Sequence, residues 1–134
     1  MSRGQYNSPT PLGTQWGAAY LGELLANPEP VEDLLLTLET DERDDVEFQQ
    51  EQLALAAIVV QMADPSAPYV AAEPVAAALR DDPDASALVP AAHACVNRLL
   101  NNPYAPLWAG HTDGGINIRR KARSLVTRLH RTIQ

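Results

Sequence analysis

The run Leu53 to Val60 constrains this chain most, because its eight residues are all apolar. It lies inside a segment, 46–63, that holds no Pro and no Gly. The acidic stretch Thr40 to Asp45 precedes it, and Asp64-Pro65-Ser66-Ala67-Pro68 breaks the chain after it. A helix over 46–63 is therefore predicted, apolar on every side at its centre. Such a helix needs neighbours all round and belongs in the middle of a bundle. Eight apolar residues fall far short of the ~20 that cross a bilayer.

The rest of the chain supplies those neighbours. Thr14 is a plausible cap for a helix over Gln15 to Ala26, which Asn27-Pro28 ends because the residue before proline disfavours the helical region. Pro30 suits the first turn of a second helix, with Glu29, Glu32 and Asp33 at its positive end and Val31, Leu34, Leu35 and Leu38 as its stripe. A short helix is expected over Glu73 to Arg80, with Pro74 in its first turn. Ser86 can cap a helix over Ala87 to Leu100, and Tyr104 to Ala109 is expected to make one helical turn. The last helix, about Ile116 to Thr132, aligns Ile118, Ala122, Leu125, Val126, Leu129 and Ile133 on one face. Asp113 is its expected cap, ahead of the glycines Gly114 and Gly115 that lead into the helix.

No segment alternates with period two for long enough to make a strand. Ala contributes 21 of the 134 residues and the aromatics only 5%, a composition that favours helix. The expected fold is all-α: a compact bundle of about five to seven helices, with a central apolar helix and a basic C-terminal one. Residues 14–134 form a single helical domain, and 1–13 a strap or loose tail. The N-terminal stretch lacks the basic, apolar and small-residue zones of a signal peptide, and Cys95 is the only cysteine. A soluble, cytoplasmic protein is expected.

Charge is segregated along the chain. All 17 carboxylates lie in residues 1–115 with only four cations, Arg3, Arg43, Arg80 and Arg98. Residues 116–134 carry Arg119, Arg120, Lys121, Arg123, Arg128 and Arg131 and no acid. The simplest consequence is an acidic body neutralised by its own last helix. The sharper one is two surfaces for partners of opposite charge.

Catalytic motifs are missing. His93, Cys95, His111, Asp113 and His130 make no CxxC, HExxH or similar spacing, so neither metal nor cofactor is expected. Cys95 sits mid-helix between Ala94 and Val96, which suits a buried filler rather than an activated thiol. No GxSxG elbow, GxGxxG or GxxxxGK[ST] loop occurs. Arg119, Arg120 and Arg123 form the one strip suited to phosphates, without a stacking aromatic in their helix. The net charge of −7 further disfavours a nucleic-acid partner.

In segment order the chain resembles domain of unknown function family 4259. The stretches that carry the likeness are Ala18 to Leu25, Glu51 to Val60, Ala94 to Leu100 and Leu107-Trp108. The family's Trp-Gly opening and its Asn-Asp pair are replaced here by Gly13-Thr14-Gln15-Trp16-Gly17. The resemblance implies a compact helical fold and assigns no activity or catalytic residue.

Two functions fit these features. The first is a non-enzymatic interaction protein, an immunity protein or antitoxin that masks a basic toxin such as a nuclease. Its partner-binding residues are expected at Glu39, Asp41, Glu42, Asp44, Asp45 and Glu47, and at Asp81, Asp82 and Asp84. The alternative is a small-ligand-binding or enzymatic domain whose pocket is lined by Trp16, Tyr20, Tyr104, Trp108 and His111.

Overall fold

The computed structural model describes residues 10–109, 111 and 113–133. Six α-helices and no strand occur among them: α1 (Gln15–Ala26), α2 (Val31–Glu39), α3 (Val46–Ala63), α4 (Glu73–Arg80), α5 (Leu88–Leu100) and α6 (Ile116–Ile133). The all-α bundle expected from the sequence is the observed fold. Of the expected N-terminal strap, residues 1–9 lie outside the described residues, and 10–13 form a turn closed by Gly13 N–H donating to the Thr10 carbonyl at 3.0 Å.

Helix α3 is the hub. It packs against every other helix, and each residue from Leu53 to Val60 is buried. An apolar run without a polar face has no stable place at the surface, and the other five helices wrap it. Around it, α5 packs on α2 and α6. Burial of Leu24, Leu34, Leu38, Leu88, Leu107, Ile118, Leu125 and Leu129 completes one continuous core.

Local chemistry sets the helix ends. The Thr14 hydroxyl accepts from Gly17 N–H at 3.1 Å and caps α1. Asp45 caps α3 by accepting from Phe48 N–H at 3.0 Å. Pro30 stands one step before its expected place, at the cap of α2, with extended backbone rather than in the first turn. Ser86 does not cap α5: it lies in a 3-10 turn, Ala85–Ala87, that leads straight into the helix without a side-chain cap. The segment 104–109 makes successive turns, with Trp108 N–H donating to Ala105 O at 3.0 Å and Ala109 N–H to Pro106 O at 3.1 Å, and no α-helix.

Asp113 anchors the start of α6 as expected, accepting from Gly115 N–H at 3.0 Å and Asn117 N–H at 2.9 Å. These bonds hold its carboxyl below the usual carboxylate range. Gly115 has a φ of +88°, and a Cβ there would strike the Trp108 carbonyl oxygen, so both backbone and space demand glycine. Within α6, Ile118, Ala122, Leu125 and Leu129 are buried, whereas Val126 is only partly covered and Ile133 stays 48% exposed.

The basic helix engages the acidic body little. Arg128 Nη1 pairs with Asp64 Oδ2 at 3.6 Å. Arg119 lies with its guanidinium 5.5 Å from the centre of the Trp108 ring. It is half-buried there and does not join Arg120 and Arg123 in an exposed strip.

Candidate partner-binding surface

The acidic connection between α2 and α3 is exposed at its side chains and fixed at its backbone. Asp41, Glu42, Asp44 and Asp45 all face solvent. Beneath them lie two buried glutamines of α3. Gln49 Nε2 donates to the carbonyls of Glu42 at 2.9 Å and Arg43 at 3.1 Å, while its Oε1 accepts from Leu107 N–H at 3.1 Å. Gln52 Nε2 donates to the carbonyls of Thr37 at 2.9 Å and Thr40 at 2.6 Å. Arg98 of α5 reaches across to the carbonyls of Leu38 and Thr40, both at 3.1 Å, and sits 3.9 Å from Asp41. A buried amide must satisfy its donors and acceptor, so these side chains lock the loop from below.

Gln61 repeats the device at the far end of α3. Its Nε2 donates to the Pro65 carbonyl and to Glu73, each at 3.0 Å, and its Oε1 accepts from Tyr69 N–H at 3.1 Å. Arg80 closes that corner with a 2.6 Å ion pair to Glu73 and bonds to the carbonyls of Gln61 and Met62. The Arg80 and Gln61 bonds hold the Glu73 carboxyl down to about 2.

The predicted acids therefore divide by role. Asp45 caps α3, and Asp41 bridges Arg43 and Arg98. Glu39, Glu42, Asp44 and Glu47 make no ion pair among the described residues. Asp82 accepts from Asp84 N–H at 2.9 Å in the turn between α4 and α5. There Asp82 and Asp84 share a surface with Val31 and Glu32 at the start of α2. The two predicted patches thus sit at opposite ends of α2, roughly 13 Å apart at 1.5 Å per residue.

A third group of acids joins them. Glu51 of α3 lies within electrostatic reach of Glu47 on its own helix, Glu23 of α1 and Glu29 of the α1–α2 link, and Glu29 within reach of Glu23. Burial first, then these like charges with Asp33 and Asp45, push Glu29 and Glu51 above the usual carboxylate range, and no cation among the described residues opposes this. Tyr20 is buried beneath, its pKa also raised by burial and then by Glu29, Glu51 and Glu23. Sequence reasoning missed this face because its members come from three elements. The available signal was the scarcity of cations in residues 1–115.

A group whose folded pKa is raised contributes stability that is complete below its unfolded pKa and is lost as pH rises through the folded one. Ionised Glu51 thus opposes folding at neutral pH. Glu51→Gln is expected to raise the melting temperature at pH 7. The gain over wild type should vanish as pH falls towards the ordinary glutamate value of 4.5. Thermal melts of both proteins across that range check it; a lower melting temperature for the variant at pH 7 would show that Glu51 has a stabilising partner.

The aromatic residues of the alternative reading occupy separate settings. Tyr20 is buried under α1, and Tyr104 is 91% exposed. Trp108 is buried, with its indole N–H donating to the carbonyls of Leu99 at 3.3 Å and Asn102 at 3.0 Å. Trp16 borders the acidic loop beside Asp44 and Asp45. Of the loop that holds His111, Gly110 and Thr112 lie outside the described residues.

Cys95 is buried, and burial pushes its thiol up to about 11 despite nearby Arg98, so it stays protonated at neutral pH. His93 and His130 stand 5.8 Å apart between α5 and α6. Among the described residues no three His, Cys, Asp or Glu side chains cluster as a metal site would require. No helix among them is long and apolar enough to cross a membrane. Comparison with family models, curated proteins and solved structures returns no match.

Proposed function

We propose that this chain is a non-enzymatic interaction protein of the cytoplasm that masks a basic protein partner, in the manner of an immunity protein or antitoxin against a nuclease. The observation that carries the reading is the exposed run of Glu39, Glu42, Asp44 and Glu47, none ion-paired among the described residues, with Glu51 within electrostatic reach of Glu23, Glu29 and Glu47 beside it. Such a face costs stability in the free protein, and a cationic partner removes that cost on docking. The pinned acidic loop beside it supports the same reading: its backbone is held before binding, so little ordering entropy is lost on association. The partner surface comprises the loop acids Glu39, Asp41, Glu42, Asp44, Asp45 and Glu47, the adjoining Glu23, Glu29 and Glu51, and the turn acids Asp81, Asp82 and Asp84.

The test is co-purification from the native source, then association kinetics over a salt series. The variant replaces Glu42, Asp44, Glu47 and Glu51 by Gln or Asn. None of these four makes an ion pair among the described residues, so the fold stays intact. Steering by exposed charge acts on the on-rate and is screened over about 8–10 Å at physiological salt. The variant should associate about tenfold or more slowly at low salt, with its off-rate changed much less. Equal on-rates for the two proteins at low salt would remove this surface from the interaction.

A further inference from the structure

An apolar groove of about 270 Å³ opens between the end of α1, the start of α2 and the outer face of α4. Leu24, Leu34 and Leu79 form its floor and Leu25, Val75 and Ala78 its walls. Leu25 is 49% exposed, although it is a large aliphatic side chain on an otherwise well-packed helix. Glu29 and Asp82 line it as well, and no cation among the described residues does. The cation of α4, Arg80, is bound instead to Glu73 and to the carbonyls of Gln61 and Met62.

Position gives this groove its meaning. Glu29 belongs to the convergent glutamate face, and Asp82 to the acidic turn between α4 and α5. The apolar surface therefore runs between two acidic patches that the sequence places far apart. Its volume lies just below the roughly 300–1,000 Å³ of small-molecule sites. One or two aliphatic side chains fill such a space better than a whole ligand does. An apolar strip flanked by one sign of charge matches a helix with apolar anchors at i and i+3 or i+4 and opposite charge on both sides.

We infer that this groove receives the apolar side chains of a basic amphipathic helix on the partner protein, while Glu29 and Asp82 take the flanking Arg or Lys residues. This rests on the proposed masking of a basic partner and adds the contact that supplies affinity as distinct from steering. Acids alone attract any polycation; the groove selects one that carries anchors in register.

The test uses two synthetic helical peptides of equal positive charge, one with Leu at the anchor positions and one with Ala there. Their binding to the full chain is read by fluorescence anisotropy at low and at physiological salt. The Leu peptide should bind about tenfold or more tightly than the Ala peptide, since burying an aliphatic side chain is worth at least one decade of affinity. Ala78→Leu adds a good helix former at an exposed position, fills the groove and leaves the charge unchanged. It should bring the Leu peptide down to the level of the Ala peptide. If both peptides bind wild type equally and weaken together with salt, the acidic surface stands and the groove is overturned. A Leu preference that survives Ala78→Leu puts the anchors elsewhere and also overturns it. Failure of both peptides to bind at low salt overturns the groove and the basic-partner reading together.

Discussion

Ile58→Asp should leave the chain unfolded under conditions where the wild type is native. Ile58 is 0% exposed at the centre of α3, the helix that every other helix touches. The change removes an aliphatic burial worth roughly 1.5–3 kcal/mol. It also puts a carboxylate among apolar core side chains. The ion pairs among the described residues involve Asp41, Asp64 and Glu73, all away from the middle of α3. An unpaired buried charge costs several kcal/mol more. The sum approaches the whole stability of an ordinary domain, about 5–15 kcal/mol. Ile58→Val, which loses one methylene, should cost only about 0.5–1.5 kcal/mol. Leu36→Asp, at a position 64% exposed, should stay within about 0.5 kcal/mol of wild type. Thermal melts followed by circular dichroism separate the three. A wild-type melting temperature for Ile58→Asp would remove α3 from the core.

The same contrast shows why the architecture was legible in the sequence and the site only in part. The bounds of α3 and α4 could be read because prolines and acidic caps act on their immediate neighbours. The central place of α3 followed because an apolar run without a polar side admits one solution. Reading stopped where an outcome depends on which elements meet. Gln49, Gln52 and Gln61 look like the polar margins of an apolar helix, yet all three are buried and tie down three connections. Arg119 was expected on a cationic strip and lies over Trp108 instead, because the turns of 104–109 bring that ring to α6. The glutamate face arises only when α1, α3 and the α1–α2 link pack together. Charge counting along the chain found acidic stretches, not acids that converge from Glu23, Glu29 and Glu51.

Gln49 gives the sharpest test of how the acidic loop is held. Gln49→Leu keeps the size of the side chain but leaves Leu107 N–H without its acceptor and the carbonyls of Glu42 and Arg43 without their donor. The expected cost is on the order of 2–4 kcal/mol: three hydrogen bonds of modest net worth and at least one buried group left unsatisfied. Exchange of the 40–45 amides should speed up by more than the global loss explains, because the loop loses its anchor before the bundle opens. Gln49→Glu separates the donor from the acceptor role. Its carboxylate can still accept from Leu107 N–H, but when ionised it faces two carbonyl oxygens with no proton to give. Burial and those dipoles raise its pKa in the folded state above the unfolded value. The sign is then fixed: the protonated form stabilises, its contribution is complete below the unfolded pKa, and it is lost as pH rises through the folded one. Measured against wild type at each pH, Gln49→Glu should therefore be clearly destabilised at pH 7 and recover as the solution is acidified towards the ordinary glutamate range. Gln49→Leu should show no such recovery. If the two variants keep a constant difference in stability over that range, donation from position 49 to the loop carbonyls does not hold the acidic surface in place.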